Sequence, residues 1–262
     1  MEPPLGLLSF NVRLDTPEDG ADAWPERREL VADTVTEVRP DLLGLQEPLA
    51  HQREYFADAL DHEFVGVGRA DGDREGEFTP VGHLPARLER LAGDTFWLSE
   101  APDEPGSVGW DASCPRIGTW ALLADRDADR RLLVCNTHLD HEGPEARREG
   151  ARVVLERLDE LVGRHDPDRL ALLGDYNCVP GSKPYELVTG EAVGPALVDA
   201  REVAEEVAGP AETFHGFDGE PDERIDYVFV DPGAEVRRYE TVTRGRDGRY
   251  PSDHFPILAT VA

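Results

Sequence analysis

The chain has 262 residues, of which 39% are hydrophobic and 31% charged, so it can bury a large core, and we expect one domain over residues 1–262. It has no run of about 18 apolar residues, which argues against a membrane span. Without a basic-then-apolar leader we expect a cytoplasmic protein, and the absence of a C-x-x-C pair argues against a structural zinc site. The 55 acidic residues outnumber the 27 basic ones and give a net charge of −28. This charge opposes binding of long duplex nucleic acid, because each phosphate contact needs a cation.

Apolar runs of strand type alternate with helical patterns along the chain. In chain order the patterns predict a strand at 5–12, a helix at 25–38, a strand at 41–46, a helix at 49–60, strands at 64–67, 95–98, 117–124 and 132–138, a helix at 144–162, and strands at 169–174, 225–230 and 255–261. The turn at 125–130 makes its flanking strands a hairpin, and most of 61–94 has no clear pattern. Strands followed by helices, mixed with hairpins, predict two packed sheets with helices outside.

Six of the apolar segments carry polar residues at or beside one end. These residues are Asn11, Glu47, Asn136 with His138, Asp175 with Asn177, Asp226, and Asp253 with His254. Each has an ordinary structural explanation when taken alone: Asn11 could cap a loop, and His138 could be a satisfied core histidine. Asp226 could likewise be the buried partner of Arg224. Burying them all separately would cost several kcal/mol per unpaired ion, so we expect them to converge on a shared cation.

The motifs around these residues occur in a fixed order over nearly the whole chain. They are Phe-Asn11, Leu-Gln-Glu47, Asn-Thr-His138-Leu, Gly-Asp175-Tyr-Asn177, Arg-Ile-Asp226-Tyr and Ser-Asp253-His254. In this order they resemble the endonuclease/exonuclease/phosphatase superfamily, which includes DNase I, and in particular its soluble prokaryotic members related to the deadenylase branch. The resemblance implies an α/β fold, a two-sheet β-sandwich flanked by helices in four α/β/β/α layers. It also implies attack of water on phosphorus, assisted by one or two Mg²⁺ or Mn²⁺ ions.

The metal ligands are predicted from the preference of Mg²⁺ for oxygen atoms. Glu47 is the leading ligand, with Asn11 beside it and Asp253 as a contributor to a second position. Arg13 stands where abasic-site endonucleases carry a carboxylate, which leaves open whether one or two ions bind.

The catalytic residues are predicted to act on the attacking water and on the leaving group. His254 is the general base or the orienter of the water, because imidazole titrates near neutral pH, and Asp226 would fix its tautomer. Asp175 would position the water or the leaving-group proton.

The phosphate is predicted to be bound by hydrogen-bond donors. Asn177 and His138 would donate to phosphoryl oxygens, where charge concentrates in the transition state, and Arg116 would clamp the phosphate. His83 falls in a segment that departs from the family pattern, and we expect it at the surface.

The substrate is less constrained than the reaction. Most basic residues occur as pairs without interleaved aromatic residues, which is typical of solvated surface; the arginines at 244, 246 and 249 precede Ser-Asp-His and could approach the substrate. We expect a monomer acting on a phosphorylated small molecule or short nucleotide, as a phosphatase or phosphodiesterase. A nuclease or deadenylase-like exonuclease on single strands, and a non-catalytic binding module, remain the alternatives.

The charge also bears on the environment of the protein. Lys183 is the only lysine, so arginine carries nearly all of the positive charge in a very acidic chain. This bias resembles that of salt-loving archaea and predicts a halophilic protein, because high salt screens the repulsion. A mildly acidic enzyme from a GC-rich genome is the alternative.

Overall fold

The computed structural model describes residues 3–190 and 192–262. In chain order the strands are β1 (Leu5–Asn11), β2 (Leu42–Gln46), β3 (Glu63–Val65), β4 (Val81–His83), β5 (Leu88–Trp97), β6 (Ile117–Asp125), β7 (Arg130–His138), β8 (Arg169–Asp175), β9 (Val198–Asp199), β10 (Glu206–Ala208), β11 (Asp226–Val230), β12 (Val236–Thr241) and β13 (Ile257–Val261). The helices are α1 (Trp24–Val38), α2 (Ala50–Ala59), α3 (Pro144–His165), α4 (Lys183–Thr189) and α5 (Ala200–Val203), and a 3-10 helix covers Pro17–Asp22.

The strands form two mixed sheets. The first has seven strands in the order β10-β12-β13-β1-β2-β4-β3, and the second has six in the order β5-β6-β7-β8-β11-β9. At the centre of each sheet two strands run parallel, β1 with β2 and β7 with β8, while β13 and β11 run antiparallel to them. The carboxyl ends of the parallel strands and the amino ends of their antiparallel neighbours therefore meet at one edge of each sheet.

Alternating side chains on the strands build the layers. Leu7 of β1 belongs to a buried cluster with Val134 of β7, and this cluster fills the space between the sheets. Phe10 belongs to another cluster with Val35 of α1, on the opposite face of the first sheet. Leu158 of α3 lies in a third cluster on the outer face of the second sheet. The result is a four-layer α/β/β/α sandwich, as predicted.

The long predicted elements agree with the structure within a few residues, although β5 begins at Leu88 rather than at residue 95. The strand predicted at 64–67 is the short edge strand β3, whereas the patterns missed β4, β9, β10 and β12. Of these, β9 and β10 are short edge strands, and β4 and β12 lie next to an edge strand. Edge strands bury few side chains, so their sequences lack a strong apolar period. Among the described residues, no helix combines the length and apolar character needed to cross a membrane.

His83 corrects one expectation, because it is buried and not at the surface. It ends β4, which pairs with β2 on one side and β3 on the other, and its side chain is 2% exposed. Its Nδ1 lies 2.9 Å from the carbonyl oxygen of Leu88. Burial lowers the pKa of His83, so it acts as a neutral core residue away from the polar strand ends.

Candidate active site

The polar strand ends surround one cavity of about 360 Å³. Of the residues predicted to form the site, those in its wall are Glu47, Arg116, His138, Asp175, Asn177, Asp253 and His254. Asn11 and Asp226 are not in the wall, but both hydrogen-bond to residues that are. The fold therefore brings all the nominated side chains into one place.

Strand register aligns three of these residues side by side in the second sheet. The parallel pairing of β7 with β8 places His138 opposite Asp175, and the antiparallel pairing of β11 with β8 places Asp226 opposite the same residue. His138 Nε2 lies 3.5 Å and His254 Nε2 3.9 Å from Asp175 Oδ2. Asp175 is thus the centre of a buried row of titratable groups.

The first sheet contributes Asn11 and Glu47 from the neighbouring ends of β1 and β2. Asn11 Nδ2 donates to Glu47 Oε1 at 2.9 Å and to Asp175 Oδ2 at 3.0 Å, so it joins the two sheets across the site. The backbone N–H of Leu14 donates to Glu47 Oε2 at 3.0 Å. Burial raises the pKa of Glu47, but the hydrogen bonds from Asn11 and Leu14 outweigh it and lower the pKa. Glu47 also has a φ of 73°, the left-handed conformation often found in functional loops.

His254 enters from the segment before β13 and pairs with Asp226. His254 Nδ1 lies 2.9 Å from Asp226 Oδ2, which also accepts a 2.6 Å hydrogen bond from Thr213 Oγ1. Burial lowers the pKa of His254, but Asp226, Asp253 and Asp175 outweigh burial and hold it well above its ordinary value. The pairing of Asp226 is therefore with His254; Arg224 pairs with Asp199, at 2.7 Å.

Two further carboxylates have raised pKa values. Burial and the neighbouring Asp226 raise the pKa of Asp175 to about 7. Burial and the proximity of Glu47 raise the pKa of Asp253. A titratable carboxyl group with a pKa near neutrality is suited to accept or donate a proton during catalysis.

The donor set fits a divalent cation. Glu47 and Asp253 are nearly buried, with side-chain exposures of 12% and 11%, and their mutual repulsion raises the pKa of Asp253. A hard cation between such carboxylates relieves that repulsion. Asp175, Asp226 and His254 form another group whose potential ligand atoms lie within 4.8 Å of one another, although His254 and Asp226 already bind each other.

Neutral and cationic donors also line the cavity. Burial, then Arg116 and Arg69, lower the pKa of His138 well below its ordinary value. Asn177 Nδ2 lies 3.1 Å from His138 Nε2 and donates to the carbonyl oxygen of Leu139 at 3.0 Å. Arg116 donates through Nη2 to His141 Nδ1 at 2.8 Å, whereas its buried Nη1 has no hydrogen-bond partner among the described residues. Nη1 is therefore available to an anionic ligand.

Sequence patterns missed several residues of the cavity wall. Arg69 and Glu77 form a bidentate ion pair at 2.7 and 2.6 Å in the loop between β3 and β4, which has no regular pattern. Phe214 also lines the cavity and packs edge-on against His254, with ring centroids 5.1 Å apart. Only the packing of distant segments brings them here, so no local pattern identifies them.

The arginines that precede Ser-Asp-His do not reach the cavity. Arg246 pairs with Asp33 at 2.8 Å, and Arg244 lies 3.9 Å from Glu37, both on helix α1. Arg249 hydrogen-bonds the carbonyl oxygen of Ala21. Arg244 and Arg246 are exposed, Arg249 is half-buried, and none of them is among the cavity-lining residues, so the expectation that they approach the substrate is wrong in this structure.

The fold and this site define a protein of the phosphoester-hydrolase class built on a DNase I-like sandwich. The sequence profile of the Endonuclease/Exonuclease/phosphatase family matches residues 8–254, and the chain belongs to this family. Members of the family hydrolyse phosphoester bonds and generally depend on divalent metal ions. The resemblance predicted from the motifs is thus confirmed.

Solved structures agree with this assignment over the full length. The chain is 34% identical to an endonuclease/exonuclease/phosphatase from Bacteroides vulgatus, with a TM-score of 0.93 and coverage of 100% of this chain and 99% of that one. It is also 34% identical to a mannosyl-6-phosphatase of Bacteroides thetaiotaomicron, with a TM-score of 0.91 and coverage of 98% and 99%. The human Nocturnin catalytic domain shares the fold, at 17% identity and a TM-score of 0.76 over 99% and 93% of the chains. Comparison with curated protein sequences gave no significant match.

Proposed function

We propose that the protein is an Mg²⁺- or Mn²⁺-dependent hydrolase of small phosphorylated substrates, and first of all a phosphatase. The observation that carries the proposal is the set of groups that meet in the cavity. Glu47 and Asp253 lie close together for a cation, and Arg116 and His138 lie close together for phosphoryl oxygens. Asp175 connects the two groups, because it lies 3.5 Å from His138 and shares the amide of Asn11 with Glu47. This arrangement matches what hydrolysis of a phosphate ester requires.

In the proposed mechanism Asp175 orients the attacking water and takes its proton, a role that its pKa of about 7 suits. His254, held by Asp226, adds positive charge 3.9 Å from Asp175 and helps to orient the same water. A divalent ion held by Glu47 and Asp253 would polarise a phosphoryl oxygen. Asn11 would orient Glu47; to bind the ion itself, its amide would have to turn its oxygen away from the N–H of Arg13, 2.9 Å distant.

The other phosphoryl oxygens would be bound by the neutral and cationic donors. Arg116 Nη1 has no hydrogen-bond partner among the described residues, and Arg116 lines the cavity, so this donor could bind a phosphoryl oxygen. Asn177 and His138 bond each other in the free protein, and we propose that the phosphate replaces part of this contact. The developing negative charge would then face fixed donors.

The size and chemistry of the cavity favour a small polar substrate. A volume of about 360 Å³ is at the lower end for small-molecule sites, and among the described residues that line it Phe214 provides the single aromatic ring apart from histidines. This ring already packs edge-on against His254, and a single ring offers less stacking surface than the several aromatic side chains on which single-stranded nucleic acids stack. The similarity to the mannosyl-6-phosphatase makes hexose phosphates the first substrates to test.

The first experiment measures phosphate release from hexose phosphates and other monoesters with and without EDTA. We expect activity with Mg²⁺ or Mn²⁺ and none after chelation, because the buried carboxylates would otherwise repel the substrate. Glu47→Gln should shift the metal titration to higher concentration, by about tenfold or more, with the fold retained. Glu26→Gln, an exposed acidic residue of helix α1, is the matched control. Full turnover in EDTA would exclude the metal mechanism.

A second candidate function is cleavage of short single strands. A groove of about 720 Å³ adjoins the cavity and shares Asn177, Glu223 and Ile225 with it. The groove is lined by basic side chains that could bind further phosphate groups of a strand, namely Arg147, Arg148 and Lys183. A panel of monoesters, diesters and labelled RNA and DNA separates the two functions: hydrolysis of oligonucleotides faster than of monoesters would favour the nuclease.

A further inference from the structure

Arg13 lies against the proposed cation-binding carboxylates. It is part of the cavity wall, and its guanidinium approaches Glu47 Oε2 to 3.9 Å through Nη1 and Asp253 Oδ2 to 3.8 Å through Nε. A guanidinium group keeps its proton throughout the pH range in which proteins are folded. Arg13 therefore carries a permanent positive charge beside both carboxylates.

Two of the three nitrogen atoms of the Arg13 guanidinium are hydrogen-bonded to Asp19, and the third has no acceptor among the described residues. Its Nε and Nη2 donate to the two carboxylate oxygens of Asp19 at 3.1 and 2.9 Å, the bidentate geometry that holds an arginine in place. No described residue accepts a hydrogen bond from Nη1, which leaves its donors for a ligand in the cavity.

The backbone of Arg13 is held as firmly as its side chain. Its φ of 54° is left-handed, which is strained for a residue with a side chain. Its carbonyl oxygen accepts hydrogen bonds from Arg27 Nη2 at 2.7 Å and from Gln52 Nε2 at 3.0 Å. Two buried side chains thus maintain a strained conformation that directs the guanidinium into the site, as is common for residues with a functional role.

We propose that Arg13 is the built-in second cation of this site, which binds a phosphoryl oxygen of the substrate through Nη1 beside a single divalent ion. The inference rests on the proposed function and adds to it the number of ions and a further substrate-binding residue. A second divalent ion next to Glu47 and Asp253 would meet the fixed charge of Arg13 and be repelled. Arg13 is part of the chain, whereas a metal ion can leave the site. The positive charge that Arg13 presents to the substrate phosphate is therefore independent of the metal concentration.

The test measures ion binding and phosphate binding separately from turnover. Mn²⁺ binding is followed by electron paramagnetic resonance, and binding of inorganic phosphate to the Mn²⁺-loaded protein by calorimetry. We expect one Mn²⁺ per chain in the wild type. Arg13→Gln should bind Mn²⁺ more tightly, because a positive neighbour is lost, and phosphate about tenfold or more weakly, because a charged hydrogen bond is lost.

Two variants provide the comparison. Arg13→Lys keeps the positive charge but loses the paired N–H donors of the guanidinium. It should therefore still bind one Mn²⁺ but bind phosphate more weakly than the wild type. This variant also provides the test if Arg13→Gln fails to fold. Arg246→Gln removes an exposed arginine outside the cavity wall and should behave as the wild type.

Two results would overturn the inference while leaving the proposed function intact: two Mn²⁺ ions per wild-type chain with metal-dependent hydrolysis, or wild-type phosphate affinity in both Arg13 variants. A protein that binds no Mn²⁺ and hydrolyses no ester would refute the proposed function and the inference with it.

Discussion

Asp175 shows how the environment of one residue sets its chemistry. The carboxyl group is buried beside Asp226, and its pKa is about 7 in the folded protein against 3.8 for an ordinary aspartate. Between these pH values the folded state retains a proton that the unfolded chain has released. The contribution of Asp175 to stability therefore falls as pH rises from about 4 to about 7. The neighbouring His254 acts in the same direction above its ordinary pKa, because its folded pKa is also raised.

Asp175→Asn should flatten this pH dependence in EDTA-treated protein. The free energy of unfolding of the wild type should drop between pH 5 and pH 8 by roughly 2 kcal/mol more than that of the variant. Urea unfolding at the two pH values measures the difference, with the exposed Asp58→Asn as control. Equal slopes for wild type and Asp175→Asn would mean that the folded Asp175 titrates like an exposed aspartate.

At the scale of elements, the connection after β1 depends on one buried side chain of helix α1. Arg27 is 2% exposed and donates to the carbonyl oxygens of Val12, Arg13 and Pro251. Burial lowers the pKa of Arg27 to about 10, so it remains charged at neutral pH. It ties the strand end that carries Asn11 to the segment that leads into Asp253 and His254.

Arg27→Met should destabilise the protein by roughly 3 kcal/mol or more, because several buried carbonyl groups lose their donor. Chemical denaturation measures the change in the free energy of unfolding. Arg28→Met is the matched control: Arg28 is exposed and lies over the ring of Tyr55 at 5.6 Å, so its loss should cost about 1 kcal/mol or less. A variant at position 27 as stable as that control would show that water replaces the guanidinium without loss.

At the scale of the whole molecule, the net charge of −28 dominates. Repulsion among surface carboxylates acts over about 30 Å at low ionic strength and over about 3 Å at 1 M salt. Exposed arginines are already paired with acidic residues, as Arg246 is with Asp33 and Arg126 is with Glu89. Because acidic residues are about twice as numerous as basic ones, a large negative charge remains uncompensated. The folded state is therefore expected to depend on counter-ions.

The melting temperature should accordingly rise with KCl from about 0.05 M upward. Screening by itself saturates below about 1 M, so a rise that continues to about 4 M would show salting-out of the core or ion binding. The halophilic prediction requires this rise, and activity toward an anionic substrate should follow it. A melting temperature that stays flat, with activity falling as salt competes for phosphate contacts, would instead support the alternative of an ordinary acidic enzyme.

Local sequence patterns were sufficient to predict most strand ends and the polar residue types beside them. Apolar runs with Asn11, Glu47, Asp175 or His254 beside one end are local patterns, and backbone preference and side-chain type act within a few residues. For the same reason the long central strands and the three long helices were predictable. The order of the motifs then sufficed to predict the family and the sandwich.

Which side chains meet depends on how distant segments of the chain pack together. Asp226 pairs with His254, and Arg224 forms its ion pair with Asp199. The sequence did not say whether Asp226 would pair with His254 or with Arg224, because the partner depends on which strands become neighbours and in what register. The place of Arg13 beside Glu47 and Asp253 likewise depends on contacts between segments far apart in the chain. Distances across a cavity are set by the packing of both sheets together, and no local pattern contains that information.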